Sequence, residues 1–293
     1  MVSLLEYAVI GGILYGIFFS LIGIGLNLIF GVMRIINLAH GQFIMLGGFG
    51  AYLLSRDLGL NPLFGIPLAI AGAIVIGYPL YYAVVPRLQK SHDPEMLSFI
   101  LFFGIAQIIE ALAVFAFGAD QRSLPGDALG AGNLGILGQQ FPDSWWVAVL
   151  VSALAIGGLY VYFARTKLGY ATRAIMANRE EARATGINVD RVSAIAFVMG
   201  LALAGTAGVF VPYLLGSVSP DIGTSLTTTS FAIIIIGSLG NPLGTVVGGL
   251  VFGLGTLLMQ TFYASWSNLV PYVLLVIIVL IRPTGLYGAE RRA

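Results

Sequence analysis

Apolar runs separated by short polar intervals fill this chain from end to end. Judged by the length that crosses ~30 Å of hydrocarbon, candidate spans fall at 7–30, 41–54, 62–85, 96–118, 144–164, 192–214, 228–240, 243–262 and 268–281. Three of them, 41–54, 228–240 and 268–281, are shorter than an upright crossing needs, so they read as half-helices or borrow flanking residues. The pattern predicts an all-α protein: a polytopic transmembrane helical bundle with broken or half-helices, one membrane domain over 1–293. Composition excludes a soluble globule, because 58% of residues are apolar, 9% are charged and 39 are glycine. The first run follows Glu6 without a basic flank or a small-residue cleavage site and is expected to be a retained span.

The longest polar interval, 165–191, reads RTKLGYATRAIMANREEARATGINVDR. It sets Arg165, Lys167, Arg173, Arg179, Arg183 and Arg191 against Glu180, Glu181 and Asp190, a net +3 that marks a cytosolic loop. Asn178 followed three residues later by Glu181 reads as a capping box, and Gly186 as a left-handed residue just past a helix end. A helix of about two turns fits between them. Asp190 is then placed to cap the apolar helix that begins near Val192. A short helix capped at both ends on the cytosolic side reads as a docking element, with a solvated connection as the alternative.

The interval 119–143 holds Asp120, Asp127 and Asp143 against Arg122, net −2, and the stretch from Arg282 holds Arg282, Arg291 and Arg292 against Glu290, net +2. With 165–191 in the cytosol, nine crossings put the N-terminus outside and the C-terminal stretch inside, although eight or ten fit other treatments of the short runs. Trp145, Trp146 and Trp266 then form an aromatic belt at the outer interface. Gly244, Gly248, Gly249, Gly253 and Gly255, like Ala202, Gly205 and Gly208, recur at helix-face spacing and predict close helix contacts.

Polar residues at membrane depth must be satisfied inside the protein or in a wet cavity. One set comprises Asn27 and then Arg34, Asn37, His40 and Gln42 within FGVMRIINLAHGQF, bracketed by Gly31 and Gly41. It reads as a helix that stops and restarts, lining a path or serving a structural purpose. The second is SVSPDIGTSLTTTS, from Ser217 to Ser230, with hydroxyls at Thr224, Ser225, Thr227, Thr228 and Thr229; it reads as a loop entering a half-helix, or as an extracellular loop with a helix cap. His40 has no partner histidine or spaced carboxylate, so a structural hydrogen bond or a gate is preferred to a metal ligand. Glu110, on one face with Gln107, is either a proton carrier or a partner to another helix.

Chemistry of other kinds finds no support. Neither Lys90 nor Lys167 follows a phosphate-binding glycine loop, and no HExxH, GxSxG or paired intramembrane carboxylates occur, so no catalytic, metal or cofactor site is expected in this chain. A net charge of +1 gives no sign of nucleic acid, and the absence of cysteine excludes disulfides and thiolate metal sites.

The cytosolic segment, with Glu180, Glu181, Ala182 and Gly186, resembles the EAA loop of ABC-importer permeases, in which EAA is followed after three residues by Gly; Glu181 stands where the first Ala would be. GLNLIFGVMRIINLAHGQFIMLGGFGAY, ATRAIMANREEARATGINVDRVSAIAFVMGLALAGTAGV and GSLGNPLGTVVGGLVFG resemble the branched-chain amino acid permeases of the LivH type, in that family's order. The resemblance implies a multi-pass subunit of a bacterial inner (plasma) membrane importer. It would pair with a second, LivM-like permease, two cytosolic ABC ATPases that hold ATP and Mg, and an extracytoplasmic substrate-binding protein. The implied coupling helix holds Asn178, Arg179, Glu180, Glu181, Ala182, Arg183, Ala184 and Gly186, with Ala182 and Ala184 permitting close approach and Arg179, Glu180 and Arg183 meeting charges on the ATPase. Alternating access would run along a pathway lined by Asn37, His40, Gln42, Thr224, Thr227 and Thr228. Related proteins serve urea, short amides and aromatic acids, and the spans do not separate these substrates. The competing reading is a proton-coupled secondary transporter or a channel for a small polar solute.

Overall fold

The computed structural model describes residues 2–288. Glu290, Arg291 and Arg292, which enter the charge assigned to the C-terminal stretch, lie outside the described residues. Every candidate span becomes helical. In chain order the helices are α1 (Val2–Met33), α2 (His40–Arg56), α3 (Gly65–Leu88), α4 (Pro94–Phe117), α5 (Asp143–Arg165), α6 (Lys167–Ala177), α7 (Arg179–Ala184), α8 (Val189–Gly208), α9 (Val211–Leu214), α10 (Ile222–Gly237), α11 (Pro242–Phe262) and α12 (Val270–Ile281). Among the described residues, seven helical stretches are long and apolar enough to cross a membrane. The two that fall short are α2, with 17 residues, and α10, with 16.

Helix ends follow local chemistry. Asp93 and Asn241 accept N–H bonds from Met96 and Gly244 at the starts of α4 and α11, and Pro94 and Pro242 fill first-turn positions where no N–H is needed. The break after α1 is turned by Arg34 at φ +54°, a left-handed conformation for a non-glycine residue. The chain then runs through residues 34–39 before α2 begins.

Bare backbone seams hold the bundle together, as the glycine spacing predicts. A Cβ on Gly12 of α1 would fall 2.9 Å from the Leu254 Cα of α11, and one on Gly200 of α8 would fall 2.7 Å from the Gly25 carbonyl oxygen of α1. On α2, Gly47 meets α8, where a Cβ on Gly208 would sit 2.9 Å from its Cα. These approaches let dispersion contacts and backbone dipoles take over where lipid supplies no hydrophobic drive. Burial divides the helices accordingly: α1 and the α8–α9 stretch are 78% buried over their most apolar window, against 17% for the α3 stretch and for α4. The former make the core and the latter face lipid or another subunit.

Two elements go beyond the pattern. Strands β1 (Asn133–Ile136) and β2 (Gln139–Pro142) pair antiparallel in the loop before α5, turned by Leu137 and Gly138 at φ +49° and +79°. Phe141 of this hairpin stacks on Tyr7, 5.0 Å between centroids, tying the loop to the start of α1. The second is α6, which precedes the short helix α7 and buries Gly169, Thr172 and Ile175 on one face.

Candidate functional site

The two polar sets at membrane depth meet. Gln42 of α2 is fully buried, and its Nε2 donates to Glu110 Oε2 of α4 at 3.1 Å; Thr224 Oγ1 of α10 donates to the same oxygen at 3.3 Å. Beside them the Gly41 N–H donates to Thr227 Oγ1 at 3.0 Å, and that hydroxyl lies 3.1 Å from the Leu38 carbonyl oxygen. Gly223 is the reason the helices come so close, since a Cβ there would stand 2.5 Å from Gln42 Cδ. Breaking α1 before α2 and shortening α10 thus brings a carboxylate, an amide and two hydroxyls to one place where α2, α4 and α10 meet.

The other expected pathway residues separate. Asn37 is buried, and its Oδ1 accepts from the Ala39 N–H at 3.1 Å to start α2. His40 turns away into the α1–α8 contact, with Nε2 3.1 Å from the Ile22 carbonyl oxygen, which fits a structural hydrogen bond. Thr228 lines a cavity of about 420 Å³ between α10, α11 and the 264–269 turn, together with Ser225, Thr256, Gln260 and Asn268. Asn27 belongs to a different feature. Its Oδ1 accepts from the Gly240 N–H, and its Nδ2 donates to the Asn241 carbonyl at 2.9 Å and to Thr245 Oγ1, holding α1 to the α10–α11 turn.

At the polar end, Thr166 ends α5 and caps α6 by accepting from the Gly169 N–H at 2.9 Å. Asn178 serves two helices: its N–H donates to the Ala174 carbonyl at 3.0 Å to close α6, and its Oδ1 accepts from the Glu180 and Glu181 N–H groups to open α7. That backbone N–H is therefore taken, so Glu181 bonds the Asn178 amide Nδ2 at 2.6 Å in place of the reciprocal bond of a capping box. Gly186, at φ +85°, donates to the Arg183 carbonyl while the Ile187 N–H reaches Ala182, a Schellman end. The expectation for Asp190 is corrected. Asn188 caps α8 by accepting from the Arg191 N–H, and α8 starts at Val189, a turn earlier than the apolar pattern indicates.

Side chains of α7 divide between inside and outside. Arg179 points inward, donating to Gln89 Oε1 at 2.6 Å and standing 3.7 Å from Asp190, and Ala182 is buried. Glu180, Glu181, Arg183 and Ala184 are exposed, with Arg183 and Glu180 paired at 3.3 Å. A groove of about 650 Å³ runs beside α7, lined with charges of both signs including Arg34, Lys90, Asp93, Glu95 and Arg183. No group of three or more His, Cys, Asp or Glu able to hold a metal occurs among the described residues.

A bundle with seven membrane-length helices, interrupted spans with polar linings and a capped helix beyond the spans is a multi-pass membrane protein of the permease class. The chain belongs to the family described as "Branched-chain amino acid transport system / permease component", matched over residues 8–279. It is 26% identical to the high-affinity branched-chain amino acid transport system permease protein LivH of Escherichia coli (strain K12), over 94% of this chain and 93% of the relative. BraD of Pseudomonas aeruginosa, a permease protein of the same description, is 26% identical over 95% of this chain and 94% of its own length. LivM of Escherichia coli (strain K12) is 26% identical over 93% of this chain and 68% of the relative, so two kinds of permease protein share this sequence pattern. No solved structure matches.

Proposed function

We propose that this chain is one permease subunit of a binding-protein-dependent ABC importer that moves branched-chain or related amino acids across the inner membrane of a bacterium. The observation that carries this reading is α7: a helix capped at both ends, set between α6 and α8, with Glu180, Glu181, Arg183 and Ala184 outward beside a groove of mixed charge. A charged partner fits such a surface, and the cytosolic ATPase of an importer is that partner. ATP closes two ATPase subunits, each carries a coupling helix with it, and α8 passes the displacement to the core because its first turn starts four residues after the α7 cap. ATP and Mg stay in the ATPases. A LivM-like second permease covers the poorly buried helices, and an extracytoplasmic binding protein delivers solute on the side of the β1–β2 hairpin. The path runs by Gln42, Thr224, Thr227 and Thr228, with Asn37 and His40 supporting the start of α2.

The test is purification of the tagged chain from cells expressing its neighbouring genes, followed by leucine uptake into proteoliposomes. A copurifying P-loop ATPase, with uptake that requires ATP and survives a protonophore, is the expected result. Uptake by this chain alone, or uptake abolished by the protonophore in the presence of ATP, overturns the reading in favour of a channel or a proton-coupled carrier.

A further inference from the structure

We infer that Glu110, held by Gln42 and Thr224, is the binding site in this subunit for the ammonium group of an amino acid passing through the membrane; this rests on the importer reading above and specifies its substrate. Glu110 lies seven residues before the end of α4 at Phe117, about 10 Å inside the outer end of the span. A carboxylate at membrane depth is costly at a helix centre and less so toward an interface, so its charge calls for a partner. The chain supplies neutral donors only. Both Gln42 Nε2 and Thr224 Oγ1 bond Oε2, Oε1 has no protein donor, and the ion pairs among the described residues are Arg179–Asp190 and Arg183–Glu180, both on the cytosolic side.

A second acceptor is left over in the same cluster. Because Gln42 turns Nε2 toward the carboxylate, its Oε1 packs against Gly223 of α10, buried and without a hydrogen-bond partner. One half-exposed carboxylate oxygen and, buried behind it, one amide oxygen form a set of acceptors without donors. An ammonium, with three N–H donors and no acceptor, is its chemical complement; a carboxylate or a carbonyl is not. Half-buried Glu110 and exposed Thr224 keep the set reachable.

The experiment uses the assembled complex in ATP-loaded proteoliposomes with saturating binding protein and L-leucine, and with urea as the probe lacking an ammonium. Glu110→Gln keeps the shape and removes the charge, and is expected to lower leucine uptake at least tenfold while complex recovery and ATP hydrolysis stay within twofold of wild type. Thr224→Val removes one donor to the carboxylate, is expected to lower uptake about threefold, and serves alone if the first variant does not assemble. Wild-type leucine uptake in whichever of these variants assembles overturns the inference and leaves the importer reading standing. A wild-type complex that imports urea with ATP but no amino acid also overturns the inference alone. Uptake that follows the proton gradient and needs no ATPase overturns the importer reading and assigns Glu110 to proton transfer.

Discussion

Arg179 and Arg183 stand four residues apart on α7, yet the structure gives them opposite consequences. Arg179 donates to Gln89 at 2.6 Å, a charge-assisted bond worth about 1.5–3 kcal/mol. Its 3.7 Å contact with Asp190, whose side chain is 60% exposed, adds no more than about 0.5 kcal/mol after solvent screening. Arg179→Ala should therefore loosen α7 from α3 and α8 by about 2 kcal/mol, roughly a 30-fold rise in its opening equilibrium. Arg183 pairs only with exposed Glu180, and Arg183→Ala should change that equilibrium less than about twofold. Hydrogen exchange measured by mass spectrometry on the purified protein reads both. The expected pattern is about 30-fold faster exchange across 182–187 in R179A, with α11 unchanged, and near-normal exchange in R183A. Equal exchange in the two variants would refute the inward placement of Arg179 and its role in anchoring the helix.

Charge reversal at the outward position, Arg183→Glu, should lower recovery of the ATPase with the tagged permease several-fold while the permease itself stays in the membrane; full recovery counts against docking at α7. Gly186→Pro should do the same more severely, since proline fixes φ near −65° where the Schellman end needs +85°. Asn27→Leu leaves the Gly240 N–H without a partner and removes the bonds to the Asn241 carbonyl and the Thr245 hydroxyl, and should cost about 2 kcal/mol, a fall of about 5 °C in Tm in detergent; an unchanged Tm contradicts the α1 to α10–α11 tie.

How far these features are legible beforehand depends on their range. Asn178, Gly186 and the spans are readable because caps and apolar length act over a few residues. The start of α8 misleads because Asn188 and Asp190 are both good caps, and the apolar pattern takes hold only at Val192, whereas Asn188 holds the bond. The inward turn of Arg179 and Ala182 needs the positions of α3 and α8, which local pattern does not carry. Helix α6 hides because its buried face is just Gly169, Thr172 and Ile175 among charges. The meeting of Gln42, Glu110 and Thr224 spans separations of 68 and 114 residues; each residue is conspicuous singly as a polar group in a span, but only the packing shows that they share one oxygen.

The absence of cysteine from this chain makes one measurement especially direct. A single cysteine at exposed Ala184 can be cross-linked in native membranes that contain the assembled complex. A cross-link between that position and a P-loop ATPase subunit is the predicted result. Labelling of the same cysteine from outside intact cells, or an assembled complex in which it reaches no other subunit, contradicts the central claim that α7 takes force from an ATPase into the membrane core.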